Sequence, residues 1–216
     1  MKVSFKKTLL AAVALTTMGG LFASTTAAAD ESPWLVRVRM LEVTTQQSND
    51  GGGIVTPDSV KVANRTQPEV DVSYFFTHNI SAELIASYPL SHQVHLNQGG
   101  TSSYLGGFQE LPPILNLQYH FDGMGAFVPY VGAGVVYMRT MNTTLSNGLS
   151  LQQNNFGEDL QLGADYKLDN HWLLNADIKK TWINVGLNGP AGVVGSSTLQ
   201  LHPDPYILGL GVGYRF

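Results

Sequence analysis

The sequence predicts an all-β fold, an eight-stranded antiparallel up-and-down transmembrane β-barrel. Three observations lead to this prediction. Apolar residues alternate with polar or small residues through eight segments, long polar connections alternate with short turns, and only 13% of the residues are charged. A soluble chain usually carries about 25% charged residues. Strands that turn one apolar face to lipid account for both the alternation and the low charge.

Residues 1–29 are predicted to be a secretory signal peptide. Three lysines lie among the first seven residues, ahead of the apolar stretch 8–15, and three alanines precede Asp30. Such an order is typical of a cleaved export signal. Loss of the three lysines moves the formal charge from −4 to −7. Residues 30–216 then form one barrel domain that reaches the outer membrane through the periplasm, with no cysteine for a disulfide framework.

The C-terminal segment, residues 206–216, shows the alternation most clearly. Read back from Phe216, every second residue is apolar, and the residues between them are Arg215, three glycines and Ile207. A strand with one continuous apolar face needs a cover, and lipid provides it. The aromatic last residue resembles the assembly signal of bacterial outer-membrane barrels. Phe216 is therefore predicted to engage the barrel assembly machinery.

Seven further segments are predicted to be strands because they alternate in the same way. They are residues 34–43, 67–76, 80–88, 114–121, 127–139, 159–168 and 172–179. Alternation does not fix the facing of the fifth segment; the preferred outward set is Val131, Ala133, Val135 and Tyr137. Four polar, Gly- and Asn-rich connections are predicted to be external loops. They span residues 44–65, 89–110, 141–154 and 186–197. The other three connections are short turns, as on the periplasmic side of outer-membrane barrels.

The strand faces opposite the apolar ones carry charges of both signs. In a barrel of eight strands these charges would pair inside a narrow lumen, so an open porin-like channel is not expected. With the N-terminus on the periplasmic side, the inward residues of the lower half are predicted to form a polar floor. These residues are Arg37, Asp71, Glu83, His120, Asp165, Asp177 and Arg215.

Higher in the predicted lumen the inward residues become apolar. They are Leu41, Val43, Ile85, Ile114, Val136, Met138, Ile183 and Ile207. An apolar cup above a polar floor would stop ions but would receive a small hydrophobic molecule. The alternative is that these side chains only fill the core of the barrel.

Four stretches resemble the OmpW/AlkL family of eight-stranded outer-membrane barrels. They are ASYPLSH at 86–92, LPPI at 111–114 continuing to QYHF at 118–121, PYVGAGVVY at 129–137, and the C-terminal residues 208–216. The resemblance spans most of the chain after residue 30 but not the loops, so the identity of a ligand is not carried over. It implies uptake of small hydrophobic solutes from outside into a lumenal pocket, followed by sideways exit into outer-membrane lipid. Proline cannot donate to a strand ladder, so Pro89, Pro112 and Pro113 are predicted to form the lateral gate.

Two other functions remain open. The loops could serve as a surface receptor for phage, bacteriocin or host. An enzymatic role has weaker support: Ser91, His92 and His95 lie near the outer rim, but no nucleophile motif surrounds them and no Cys or carboxylate neighbours them. We therefore expect no catalysis, no metal and no cofactor. We also expect no nucleic-acid partner.

Overall fold

The computed structural model describes residues 32–216, apart from residues 47, 54, 87 and 196–197. The predicted signal peptide lies outside the described residues. None of the helices in the described part is long and apolar enough to cross a membrane. The elements in chain order are β1 (Trp34–Thr44), β2 (Ser48–Asn49), β3 (Val60–Val62), β4 (Arg65–Phe75), β5 (Ile80–Ala86), β6 (Leu90–Gln98), β7 (Thr101–Leu111), β8 (Ile114–His120), β9 (Phe127–Leu145), β10 (Ser150–Leu151), β11 (Asn154–Lys167), β12 (Trp172–Ile183), β13 (Val185–Asn188), α1 (Ala191–Val194), β14 (Thr198–His202) and β15 (Tyr206–Arg215).

Eight of these strands close into an antiparallel barrel, which confirms the predicted fold. Around the barrel the order is β1, β4, β5, β8, β9, β11, β12 and β15. The last strand returns to the first, and β15 pairs with β1 from Leu35↔Arg215 to Thr44↔Tyr206. The backbone N–H of Phe216 then donates to the carbonyl oxygen of Trp34 at 3.2 Å. The two ends of the described chain therefore meet at the end of the barrel that carries the short turns, called the lower end below.

The apolar face of each barrel strand points outward, and the charged face points into the lumen. Leu117 is 60% exposed and Leu210 is 58% exposed, whereas Arg37 and Asp71 are fully buried. A soluble barrel has the opposite arrangement, so this one is built for lipid. The fifth predicted strand exposes three of the four preferred residues, Val131, Ala133 and Val135, and Tyr137 is half-buried.

Much of what was predicted as four long loops is strand, and this part of the prediction is wrong. β9 extends to Leu145, β6 and β7 form a hairpin over residues 90–111, and β3 pairs with β6. Four short strands form a second sheet in the order β10, β13, β14 and β2. Short apolar alternations such as Val60-Lys61-Val62 lie among Gly, Asn and Ser residues, and these neighbours led to the prediction of loops. These residues supply turns between strands as well as loops.

The apolar core lies at the upper end of the barrel, where the long connections cover the lumen. Leu151, Leu187 and Leu199 of the second sheet belong to the same buried cluster as Ile114 and Val136 of the barrel wall. The second sheet therefore forms a roof over the upper lumen. Between this roof and the charged side chains below lies the candidate site.

Candidate functional site

Arg37 is the centre of the lower lumen. Its Nε and Nη2 donate to the two carboxylate oxygens of Asp165 at 3.2 and 2.7 Å, and its Nη1 donates to Oδ1 of Asp71 at 3.2 Å. Nη1 also donates to Oγ of Ser73 at 3.0 Å. β1 positions this side chain because alternate residues of a strand share a face. Arg37 is fully buried, so these bonds replace its entire hydration shell.

Arg39 forms the next layer, two residues further along β1. It donates to Oε1 of Glu69 at 2.8 Å, to Oδ2 of Asp177 at 2.6 Å and to Oε1 of Glu83 at 3.1 Å. The Nζ of Lys179 donates to the same Asp177 oxygen at 2.7 Å. The two arginines thus join strands from both sides of the barrel into one ionic network.

Amide and hydroxyl side chains complete the network. Asn116 donates to Oδ2 of Asp159 at 2.9 Å, Thr181 donates to Oδ1 of Asp159 at 2.9 Å, and Gln161 donates to Asp177 at 2.7 Å. In the described part of the chain, three buried cations face six buried carboxylates. The cations are Arg37, Arg39 and Lys179; the carboxylates are Glu69, Asp71, Glu83, Asp159, Asp165 and Asp177.

Two residues of the predicted floor lie at the edge of this network. His120 is buried, with its Nε2 3.1 Å from Oγ of Ser81 and its ring against Phe75 and Tyr130. Arg215 is half-buried at the lower end: its Nε donates to the carbonyl of Ser32 at 3.0 Å and its guanidinium carbon lies 4.2 Å from the ring centroid of Phe75. Arg215 thus lies at the bottom of the predicted floor, below the layers formed by Arg37 and Arg39.

The sequence-based prediction of the floor missed several members of the network. Alternation places Arg39, Glu69 and Lys179 on the same inward faces as Arg37, Asp71 and Asp177, although the predicted floor did not include them. Asn116 and Asp159 also lie on the inward faces by alternation, whereas Tyr130 lies in the segment whose facing alternation does not fix. The Tyr130 ring fits because Gly163 faces it: a Cβ at that glycine would lie 2.3 Å from Cζ of the tyrosine.

Above the network lies a cavity of about 110 Å³ with an almost entirely apolar wall. Six of the predicted cup residues line it: Val43, Ile114, Val136, Met138, Ile183 and Ile207. An apolar cavity of roughly 150 Å³ in another protein holds benzene. The space therefore suits a molecule of about one aromatic ring or a short alkyl chain.

Two predicted cup residues do not line the cavity. Leu41 is 2% exposed and packs near the Cα of Gly209, and Ile85 belongs to the buried apolar cluster. Their places are taken by residues from segments predicted as loops, which sequence reasoning missed. Among these lining residues are Val60, Val94, Phe108, Leu151 and Leu187.

The barrel wall beside the cavity is interrupted between β4 and β6. The β4–β5 ladder ends at the pair Val70↔Ala86, and the β3–β6 ladder begins at Val62↔Val94. No ladder pair joins residues 63–69 to residues 88–93 in the part of the chain that the structure describes. Instead, the guanidinium of Arg65 donates to the carbonyl oxygen of Ser91 across the interruption. A side chain therefore spans a stretch of wall where backbone pairing stops.

A second interruption contains the three predicted gate prolines. The β5–β8 ladder ends at Ile85↔Ile114 and the β6–β7 ladder begins at Leu90↔Glu110. Pro89 lies just before β6 and Pro112 just after β7, on opposite sides of the gap between these two ladders, and Pro112 lines the cavity. The carbonyl of Pro113 accepts a bond from the N–H of Tyr137 at 3.0 Å, which ties this proline to β9. Pro89 borders both interruptions.

His92 and Phe108 line the cavity and also a second, open depression of about 560 Å³. Their rings stack with centroids 5.2 Å apart and planes 21° apart. Arg65 and Ser91, the residues that span the first interruption, also line this depression. The stacked pair therefore borders both the cavity and the depression at the interrupted wall.

Comparisons with known proteins agree with this architecture. The OmpW family model matches residues 31–216. The uncharacterized outer-membrane protein y4mB of Sinorhizobium fredii is 39% identical over 191 residues, which are 88% of this chain and 82% of that protein. Outer membrane protein AlkL of Ectopseudomonas oleovorans is 34% identical over 78% of this chain and 74% of its own length.

Solved structures show the same barrel. The crystal structure of the outer membrane protein OprG from Pseudomonas aeruginosa has a TM-score of 0.71 at 28% identity, covering 87% of this chain and 98% of OprG. The family match spans all the described strands, and the relatives are named outer-membrane proteins. The chain is therefore an outer-membrane β-barrel that belongs to the OmpW family.

Proposed function

We propose that this barrel takes up small hydrophobic molecules from outside the cell and releases them sideways into the outer membrane. The observation that carries the proposal is the apolar cavity between the ionic network and the roof, beside two interruptions of the wall. The proposed binding residues are those that line the cavity, and the proposed gate is formed by Pro89, Pro112 and Pro113.

The energies of the two exit routes favour lateral release. Movement along the barrel axis would require opening the network around Arg37 and Arg39, and breaking one buried ion pair costs about 3–5 kcal/mol. A hydrophobic solute would also have to leave an apolar site for a charged one. Sideways movement takes the solute from one apolar surrounding to another, because lipid tails are as apolar as the cavity wall. It gives up little of the roughly 0.8 kcal/mol that each buried CH₂ gains on leaving water.

The interrupted wall supplies the place for this exit. A closed ladder would oppose passage with one backbone hydrogen bond after another, each worth about 0.5–1.5 kcal/mol net. At the prolines the ladder lacks backbone N–H donors. At the neighbouring interruption, the Arg65 side chain connects the two sides of the wall by its hydrogen bond to the carbonyl oxygen of Ser91. A side chain can swing aside without unfolding a strand. The wall around Pro89 is thus the route of lowest resistance.

The proposal is tested by stapling the wall. The chain has no cysteine, so a double variant Arg65→Cys/Ser91→Cys carries one cysteine pair across the interruption. We expect toluene uptake by cells that produce this variant to fall to the level of cells without the protein after crosslinking with a short bis-methanethiosulfonate, which replaces the length of the arginine side chain, and to recover after reduction.

The matched control is Val72→Cys/Leu84→Cys, which joins two residues that already face each other in the β4–β5 ladder. The same crosslinking of this control should leave uptake unchanged, because the wall is closed there. Undiminished uptake through the crosslinked Arg65/Ser91 variant would remove that interruption from the route. If Pro89→Ala/Pro112→Ala also transports normally, lateral release at this wall is wrong, and the surface-receptor function gains support.

A further inference from the structure

The few polar groups around the cavity differ in how they are satisfied. Thr181 donates to Asp159 at 2.9 Å, and Thr45 donates through its Oγ1 to the carbonyl of Val62 at 3.1 Å. Gln67 also lines the cavity and is 6% exposed, but its Oε1 has no hydrogen-bond partner among the described residues. Leaving a buried acceptor unpaired is costly, so an unpaired oxygen in a cavity wall calls for a ligand.

Gln67 lies at the boundary between the ionic network and the apolar cavity. It precedes Glu69 by two residues on β4 and therefore shares its inward face. Its partner in the β1 register is Leu41, one layer above Arg39. A molecule in the cavity would thus meet the Gln67 amide at its lower end and mostly apolar side chains around the rest of its surface.

A second polar group lines the same cavity. His92 is 8% exposed, and its Nε2 lies 3.0 Å from Oε1 of Glu110, in an orientation that makes no hydrogen bond. Apart from this contact, Nε2 has no hydrogen-bond partner in the described part of the chain. Gln67 on β4 and His92 on β6 are thus polar groups of the mostly apolar wall that each have a side-chain atom without a hydrogen bond.

We infer that the molecule held in this cavity is a small hydrophobic compound with one hydroxyl group, and that Gln67 binds the hydroxyl. This inference rests on the uptake function proposed above and adds the chemical class of the solute. A hydroxyl both donates and accepts, so it satisfies the amide whichever of its two ends faces the cavity. A pure hydrocarbon of the same shape leaves the amide oxygen unpaired. The cavity volume of about 110 Å³ fits a ring-sized phenol or a short alcohol.

The test compares p-cresol with p-xylene, which have nearly the same shape and differ by a hydroxyl in place of a methyl group. Each is titrated into the full barrel in dimyristoylphosphatidylcholine vesicles, and binding is followed by NMR shifts of the methyl groups of Val136 and Ile183. Protein-free vesicles give the free concentration of each compound. We expect p-cresol to bind about tenfold more tightly than p-xylene, which corresponds to ~1.4 kcal/mol.

The variant Gln67→Met keeps the side-chain length and removes the amide. It should abolish the tenfold preference while binding p-xylene at least as tightly as the unmodified protein. The control Gln109→Met changes a glutamine that does not line the cavity and should keep the preference.

Equal binding of the two compounds by the unmodified protein, or a preference that persists in Gln67→Met, would overturn the hydroxyl inference and leave uptake of hydrocarbons intact. Binding of neither compound would overturn the proposed function as well. The comparison on the unmodified protein needs no variant to fold.

Discussion

Replacing Arg37 by methionine should destabilise the barrel through one identifiable carboxylate. Asp71 would keep Arg39, whose Nη2 lies 3.0 Å from its Oδ2. Among the described residues, Asp165 would keep only the bond from Asn175 at 2.7 Å and would have no cation in contact. Breaking a buried pair in this way costs about 3–5 kcal/mol, because the remaining charge is left in a dry interior. The orphaned charge is therefore Asp165.

A second substitution tests this assignment. Adding Asp165→Asn to Arg37→Met removes the orphaned charge, so the double variant should recover most of the lost stability. Adding Asp71→Asn instead should recover little, because Asp71 still has a cation. In the unmodified background, Asp165→Asn should cost about 1.5–3 kcal/mol, the usual worth of a hydrogen bond to a charged group.

The assay is reversible urea unfolding in lipid vesicles, followed by tryptophan fluorescence, with the gel-mobility shift on heating as a check of closure. Comparing these four variants with Asp71→Asn alone gives the coupling between each carboxylate and Arg37. The reasoning is refuted if Asp71→Asn rescues Arg37→Met as well as Asp165→Asn does. It is also refuted if Arg37→Met lowers the free energy of unfolding by less than about 1 kcal/mol, because removing one partner of a buried ion network should leave an uncompensated charge.

Four further results are expected. Leu117→Arg and Leu210→Arg should each lower the free energy of unfolding in vesicles by about 2–4 kcal/mol if they lie at the bilayer midplane. The corresponding methionine variants should lower it by less than about 1.5 kcal/mol, and equal stabilities of the arginine and methionine variants would contradict the outward facing. Deleting Phe216 should reduce assembly in cells more than refolding in detergent, and an equal loss in both would assign the residue to packing. Val136→Asp should abolish binding of hydrophobic solutes while Val136→Ala only weakens it, because a charge in the cavity must be desolvated. The backbone N–H groups of Trp172 and His171 donate to Asp169 and hold the pKa of that carboxyl below its usual value. Its contribution to stability is therefore present above about pH 4 and is lost as the pH falls through the folded pKa. The unfolding midpoints of Asp169→Ala and of the unmodified protein should converge on acidification, and a constant difference would contradict this.

The sequence predicted the membrane-spanning part of the fold well because lipid imposes a strict period of two. Leu115, Leu117 and Tyr119 must face outward, so Asn116 and Gln118 can only face inward. The same parity leads from Arg37 to Arg39, although not to the pairing of Arg37 with Asp165, which lies 128 residues away. Partners across the lumen depend on side-chain reach and on the empty space left by glycines, and neither is encoded in one strand.

The upper part of the site was not predictable in the same way. Val60, Val94 and Leu187 line the cavity, but each lies in a stretch whose Gly, Asn, Ser and Gln content indicated a loop. The faces of these strands carry no continuous apolar stripe, because polar residues and glycines interrupt them. Their burial depends on contacts between segments far apart in the sequence, which alternation within one segment cannot show. The candidate cavity is therefore half predicted, on its barrel side, and half found in the structure.

The pairing of β1 with β15 affects the stability of a chain that lacks its last strand. Every other pair of neighbouring barrel strands is also consecutive among the eight, but this one joins the first strand to the last. Until residues 206–215 arrive, β1 has an open edge with unpaired backbone groups and an apolar face, which is a template for aggregation. A chain truncated before β15 would have two such edges, on β1 and β12, because both strands pair with β15 in the closed barrel. Premature termination near the end should therefore produce aggregates cleared by proteases, even though nearly the whole barrel has been synthesised.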